Sequence, residues 1–156
     1  MERLEYKVYK KLKNKGYKVA TAESCTGGLL VGKLINVSGA SEIVDMSFVT
    51  YSNEAKMDLV GVNGDSLEKY GAVSEQVAKE MAEGAKRRAK CEVGLSTSGI
   101  AGPKGGTPTK VVGTVCFGIS INDRTYTYTH VFKNISRQYV RNKSVKFILK
   151  KLLEIV

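Results

Sequence analysis

Residues 17–34 read Tyr-Lys-Val-Ala-Thr-Ala-Glu-Ser-Cys-Thr-Gly-Gly-Leu-Leu-Val-Gly-Lys-Leu. Val19 to Glu23 has the composition of a short strand, and Leu29 to Leu34 that of the start of a helix. Between them stand Ser24, Cys25, Thr26, Gly27 and Gly28. Nucleophile-capable side chains and two glycines thus sit where a strand hands over to a helix. Open α/β sheets place ligands at such carboxyl ends of strands. The first amides of the following helix lack internal partners and attract anions. The plainer reading is that Thr26 caps the helix and the glycines only make the turn.

Working outward, Leu4, Val8 and Leu12 recur on one face, so residues 2–15 read as an amphipathic helix ended by Gly16. Leu30 and Leu34 carry the second helix to about Asn36, and 38–41 form a turn. Residues 42–52 read as a strand, Ser52-Asn53-Glu54 as a cap opening a short helix, and 66–70 as a further helical turn. Ser74 caps a long helix to about Ala89, followed by a strand over 91–97. The Gly- and Pro-rich stretch 98–110 is long for a compact domain, and such loops are usually functional or disordered. Residues 111–121 and 125–132 make a hairpin, and Ser136 caps the final helix. This order predicts a single domain over 1–156: a three-layer α/β/α fold with one mixed sheet, the hairpin preceding the last helix.

The chain has 156 residues and a formal charge of +10. No apolar run approaches membrane-spanning length, and three cysteines without a CxxC pair fit a reduced, cytoplasmic setting. The positive charge gathers in 7–18, 86–90 and 133–151, segments that read as helices with solvated faces. No RGG tract or zinc-finger spacing accompanies it. Nucleic acid is therefore not the favoured partner, although the field suits anionic small ligands.

His130 is the only histidine, and no acidic cluster has ligand spacing, so neither a metal-dependent hydrolase nor a Ser-His-Asp triad is expected. What remains is a hydroxyl with a lysine base, or the thiol of Cys25 ahead of a helix. Lys56 follows a strand end, near Tyr51. An ordinary lysine is neutral in about one molecule in 2,500 at pH 7, so a lysine base must be desolvated or lie near other cations.

Thr-Ala-Glu-Ser-Cys-Thr-Gly-Gly (21–28), Val-Thr-Tyr-Ser-Asn-Glu-Ala-Lys (49–56), Gly-Ala-Val-Ser (71–74), Ser-Gly-Ile-Ala-Gly-Pro (98–103) and Val-Gly-Thr-Val (112–115) occur in this order. Together they resemble the CinA C-terminal domain family over essentially the whole chain. The resemblance implies a nicotinamide-nucleotide amidase. It would hydrolyse nicotinamide mononucleotide to nicotinic acid mononucleotide and ammonia, without metal or cofactor, as a homo-oligomer. It also implies a serine–lysine mechanism with Ser41 as nucleophile, Lys56 as base, Tyr51 orienting or relaying a proton, and Ser24 holding the reacting amide. Ser24 as nucleophile, or a Cys25 thiolate, are the rivals. The implied substrate contacts are Glu23, Cys25, Thr26, Gly27 and Gly28, then Ser98, Gly99, Ile100, Ala101 and Gly102, with Arg137 or Arg141 for the phosphate. A catalytically silent nucleotide-binding module, or a nucleic-acid-associated competence or recombination accessory, is the alternative. The resemblance also implies a stand-alone domain, since the longer family members carry a further N-terminal domain with no counterpart in residues 1–156.

Overall fold

A computed structural model describes residues 1–133 and 136–156. The elements are α1 (Leu4–Lys15), β1 (Val19–Glu23), α2 (Leu29–Leu34), β2 (Phe48–Val49), α3 (Asn53–Val60), α4 (Gly64–Tyr70), α5 (Glu75–Ala89), β3 (Val93–Gly99), β4 (Thr114–Ile121), β5 (Arg124–Val131) and α6 (Arg137–Ile155). The five strands form one sheet in the order β2-β1-β3-β4-β5. β1 runs parallel to β2 and β3, while β4 and β5 pair antiparallel. The expected mixed sheet and C-terminal hairpin are therefore present.

Alternation along the strands builds the two layers. Val19, Val93, Leu95, Val115, Phe117 and Ile119 pack with Val8 and Leu12 of α1, Leu30 and Leu34 of α2, and Ile148, Leu149 and Leu152 of α6. The opposite face carries small residues. Ala20 and Ala22 join Val77, Met81 and Ala85 of α5. Gly94 and Gly118 lie directly under α5: a Cβ on either would collide with the carbonyl of Ala82 or of Ala78. The Ser96 hydroxyl donates to that Ala78 carbonyl at 2.6 Å. The long helix thus lies almost on the sheet backbone, which glycine alone permits at two positions.

The anticipated caps at Ser52, Ser74 and Ser136 accept from the amides of Ala55, Val77 and Tyr139. The strand expected over 42–52 is mostly irregular. A 3-10 turn occupies Ala40–Glu42, and only Phe48 and Val49 pair as strand. The reason is local: the Ser47 hydroxyl, rather than a main-chain carbonyl, accepts the Thr21 amide at 3.0 Å. The long loop after β3 is tied at its base, where Ile100 donates to the Thr114 carbonyl and Gly113 to the Ile100 carbonyl, each at 2.8 Å. No helix among the described residues is long and apolar enough to cross a membrane.

Candidate active site

The carboxyl ends of β1, β2 and β3 converge where Ser24 follows β1, Tyr51 follows β2, and the Gly99–Gly102 segment leaves β3. A cavity of about 270 Å³ opens there, lined by Ser24, Cys25, Tyr51, residues 99–102, Lys104, Gly105 and Arg137.

Lys56 is at the back of this cavity. It stands on the second turn of α3, 1% exposed, among the largest fully buried side chains. Its Nζ lies 3.2 Å from Ser24 Oγ, 2.9 Å from the Thr50 carbonyl, 3.2 Å from that of Tyr51 and 3.5 Å from that of Ser52. Loss of water lowers its pKa below the ordinary lysine value; the nearby Cys25 sulfur opposes this more weakly. A neutral amine has two N–H donors and one lone pair. As the charged amine, Nζ donates to Ser24 Oγ, and that hydroxyl donates to the Tyr51 carbonyl at 3.4 Å; the neutral amine, giving its two N–H groups to Thr50 and Tyr51, would turn its lone pair to Ser24.

The loop that carries Ser24 is braced from behind by Glu23, which is fully buried. Its carboxylate accepts from the Thr21 hydroxyl at 2.9 Å, the Thr26 hydroxyl at 2.5 Å and the amides of Gly28, Leu30 and Val31 at 3.1, 2.9 and 3.0 Å. Thr97 extends this network to Thr26 at 2.7 Å. Glu23 therefore caps α2 in place of the expected Thr26. Its charge also occupies the helix N-terminus, so no anion site is open there.

Arg141 donates to the carbonyls of Cys25 and Thr26 at 3.0 and 3.3 Å. Arg137 reaches the opposite rim, donating to the Gly102 carbonyl at 2.9 Å and to the Tyr51 hydroxyl at 3.0 Å. Among the loop amides, those of Ser24, Gly27, Gly28 and Ile100 are already committed to protein acceptors. Those of Cys25, Thr26, Ala101 and Gly102 have none among the described residues. They are thus the donors still free to face a developing negative charge.

The family model of the CinA C-terminal domain matches residues 1–156. This chain belongs to the CinA C-terminal domain family. It is 46% identical over 144 residues to a putative competence-damage inducible protein of Caldanaerobacter subterraneus, covering 92% of this chain and 35% of that protein. A CinA-like protein of Kosmotoga olearia is 44% identical over 148 residues, with 95% and 36% covered. The chain thus spans about a third of the length of these relatives. Among solved structures, a CinA superfamily protein of Escherichia coli superposes with a TM-score of 0.94 at 37% identity, covering 98% of this chain and 88% of that one. A competence or damage-inducible protein of Enterobacter asburiae gives 0.93 at 40%, covering 97% and 94%.

Within this CinA domain the expected residues divide. Ser24, Cys25, Tyr51, Gly99, Ile100, Ala101, Gly102 and Arg137 line the cavity with Lys56 behind them. Ser41 does not meet Lys56. It is exposed on the 3-10 turn beside the start of β1, where the neighbouring Ile43 carbonyl takes the Val19 amide and Glu42 is held by Tyr9. The five-residue rise of β1, about 16 Å, separates that end from Ser24. Glu23 and Thr26 are buried behind the loop, and Ser98 turns its hydroxyl to the Ala72 carbonyl at 2.8 Å. Gly27 and Gly28 carry positive φ angles of 54° and 100° and shape the loop without lining the cavity. Burial pushes the Cys25 thiol up to about 12, the reverse of thiolate activation. Lys104 and Gly105, outside the individually implied contacts but within the Gly- and Pro-rich loop after β3, line the cavity as well. Their place in the Gly- and Pro-rich stretch was the available signal.

Proposed function

We propose that the chain is an amidase of the serine–lysine type, with Ser24 as nucleophile, Lys56 as its base and nicotinamide mononucleotide as substrate. The observation that carries this reading is the buried Lys56 amine 3.2 Å from a cavity-lining serine hydroxyl. Burial favours the neutral amine, which a base requires.

In this reading Lys56 takes the Ser24 proton as Oγ bonds to the carboxamide carbon. The oxygen becomes an oxyanion within reach of the free amides of Cys25, Ala101 and Gly102. Such donors are worth about 3 kcal/mol each in the transition state. The C–N bond then breaks, and Lys56 returns the proton to the leaving nitrogen as ammonia. Water attacks the acyl-serine, again losing a proton to Lys56. The acid departs, and Ser24 recovers its proton. Arg137 and Lys104, at the rim, suit the 5′-phosphate. Tyr51 is held by Arg137 and stacks or hydrogen-bonds at the mouth.

The test is ammonia release from nicotinamide mononucleotide by wild type and by the Ser24→Ala, Lys56→Ala and Ser41→Ala variants. The first two are expected to lose about 10⁴-fold in kcat, and the third to keep wild-type turnover. Activity in folded Ser24→Ala would overturn the assignment. A wild type that binds the nucleotide without releasing ammonia would indicate a silent binding module.

A further inference from the structure

A second, larger cavity of about 630 Å³ lies between α1, α2 and α6, and its lining shares no residue with the candidate active site. Glu5, in the first turn of α1, stands in its wall with only 2% of its side chain exposed. It pairs with two cations that remain open to solvent at the rim: Arg3 Nε at 3.5 Å and Lys33 Nζ of α2 at 3.5 Å. Lys146 of α6 adds a third positive charge to the lining, so the wall carries three cations to one carboxylate. A buried carboxylate is costly unless paired, and here it fixes two cations at one mouth. The rest of the wall is apolar, with Leu29 and Leu149, together with the side-chain amides of Asn36 and Asn142.

We infer that this cavity is a binding site for a nucleoside monophosphate. The excess positive charge suits a phosphate dianion. The apolar wall of Leu4, Leu29 and Val145 suits a flat heterocycle; the Asn36 amide offers a donor and an acceptor to its edge, and Asn142, whose Oδ1 accepts from Gln138, offers its NH₂. An inorganic anion would leave the apolar wall uncovered, whereas a purely apolar ligand would leave Lys146, and the positive charge that the single Glu5 carboxylate does not balance, unanswered. The volume falls within the range of small-molecule sites. Occupancy reaches the serine loop from behind. Gly28 lines the cavity and gives its amide to Glu23, and Asn142 follows Arg141, which holds the Cys25 and Thr26 carbonyls. Binding at this cavity does not depend on the amidase reading.

Isothermal titration calorimetry with AMP tests it, run on wild type, the Lys33→Ala/Lys146→Ala pair and Arg137→Ala. Circular dichroism checks that each variant is folded. The inference expects AMP to bind more tightly than either adenosine or inorganic phosphate. Binding should survive Arg137→Ala, weaken about tenfold in the lysine pair and weaken with added salt. Hydrogen exchange at residues 24–28 should slow when AMP is bound. Absence of binding, affinity unchanged in the folded lysine pair, or loss of binding in Arg137→Ala would each overturn it. A changed sedimentation coefficient in the lysine pair would identify an interface between copies and overturn it as well.

Discussion

Lys56 differs from the other lysines in what surrounds it. It has exchanged water for three carbonyls and one hydroxyl, and desolvation lowers its pKa. Two consequences follow at this residue. The rate of amide hydrolysis should rise with pH through the lowered Lys56 value and reach its plateau below the ordinary lysine range, as a pH profile of kcat/KM will show. Stability should move the same way. The unfolded chain holds the Lys56 proton to higher pH than the folded one, so the unfolded state binds more protons between the two values. Wild type should therefore gain stability relative to Lys56→Met as pH rises across that window, measured by urea unfolding of both proteins. Cys25 behaves oppositely. Its thiol is buried and pushed up to about 12. Iodoacetamide at pH 8 should leave Cys25 unmodified and turnover intact in the native protein, read by peptide mass mapping and ammonia release.

At the scale of an element, the loop between β1 and α2 depends on Glu23. Five donors converge on this one buried carboxylate, three of them amides of Gly28, Leu30 and Val31 that would otherwise go unpaired. Glu23→Ala removes every acceptor at once. It should cost about 3 kcal/mol or more in urea unfolding. Glu23→Gln keeps the volume but turns an NH₂ toward some of these donors, so it should recover only part of the loss. Turnover should fall further than stability in both variants, because Ser24 is the next residue along the chain. The same carboxylate explains why a strand–glycine–helix turn that reads as an anion site in the sequence does not offer one. The anion is already supplied by the protein.

Across the whole molecule, the sheet has two unlike faces. The α1/α2/α6 side is filled by large aliphatic and aromatic side chains, while the central strands meet α5 with Ala20, Ala22, Gly94, Ser96 and Gly118. Gly118 lies under the Ala78 carbonyl, and Gly94 under that of Ala82. Gly118→Ala should push α5 off the sheet and cost about 1–3 kcal/mol, visible as a lower Tm. It should also loosen Ser96, whose hydroxyl reaches the same carbonyl. Because α3 packs on α5, the displacement should carry through to Lys56 and lower turnover.

The sequence by itself determined the layered α/β class, the hairpin and the helix caps, because these follow from local periodicity and from side chains reaching their own chain neighbours. Ser52, Ser74 and Ser136 cap as read. The motifs at 21–28, 49–56 and 98–103 also marked out most of the cavity lining. Pairing across the fold was decided only by tertiary structure. Ser41 and Lys56 are closer in sequence than Ser24 and Lys56, yet parallel strands β1 and β2 bring their carboxyl ends together. That leaves Ser41 at the other end of the sheet. The roles of Glu23 and Arg141 were equally hidden, since a charged residue in a motif reads alike whether it faces a ligand or the backbone behind it. Burial makes that distinction, and burial is a property of the packed sheet and helices rather than of any stretch of chain.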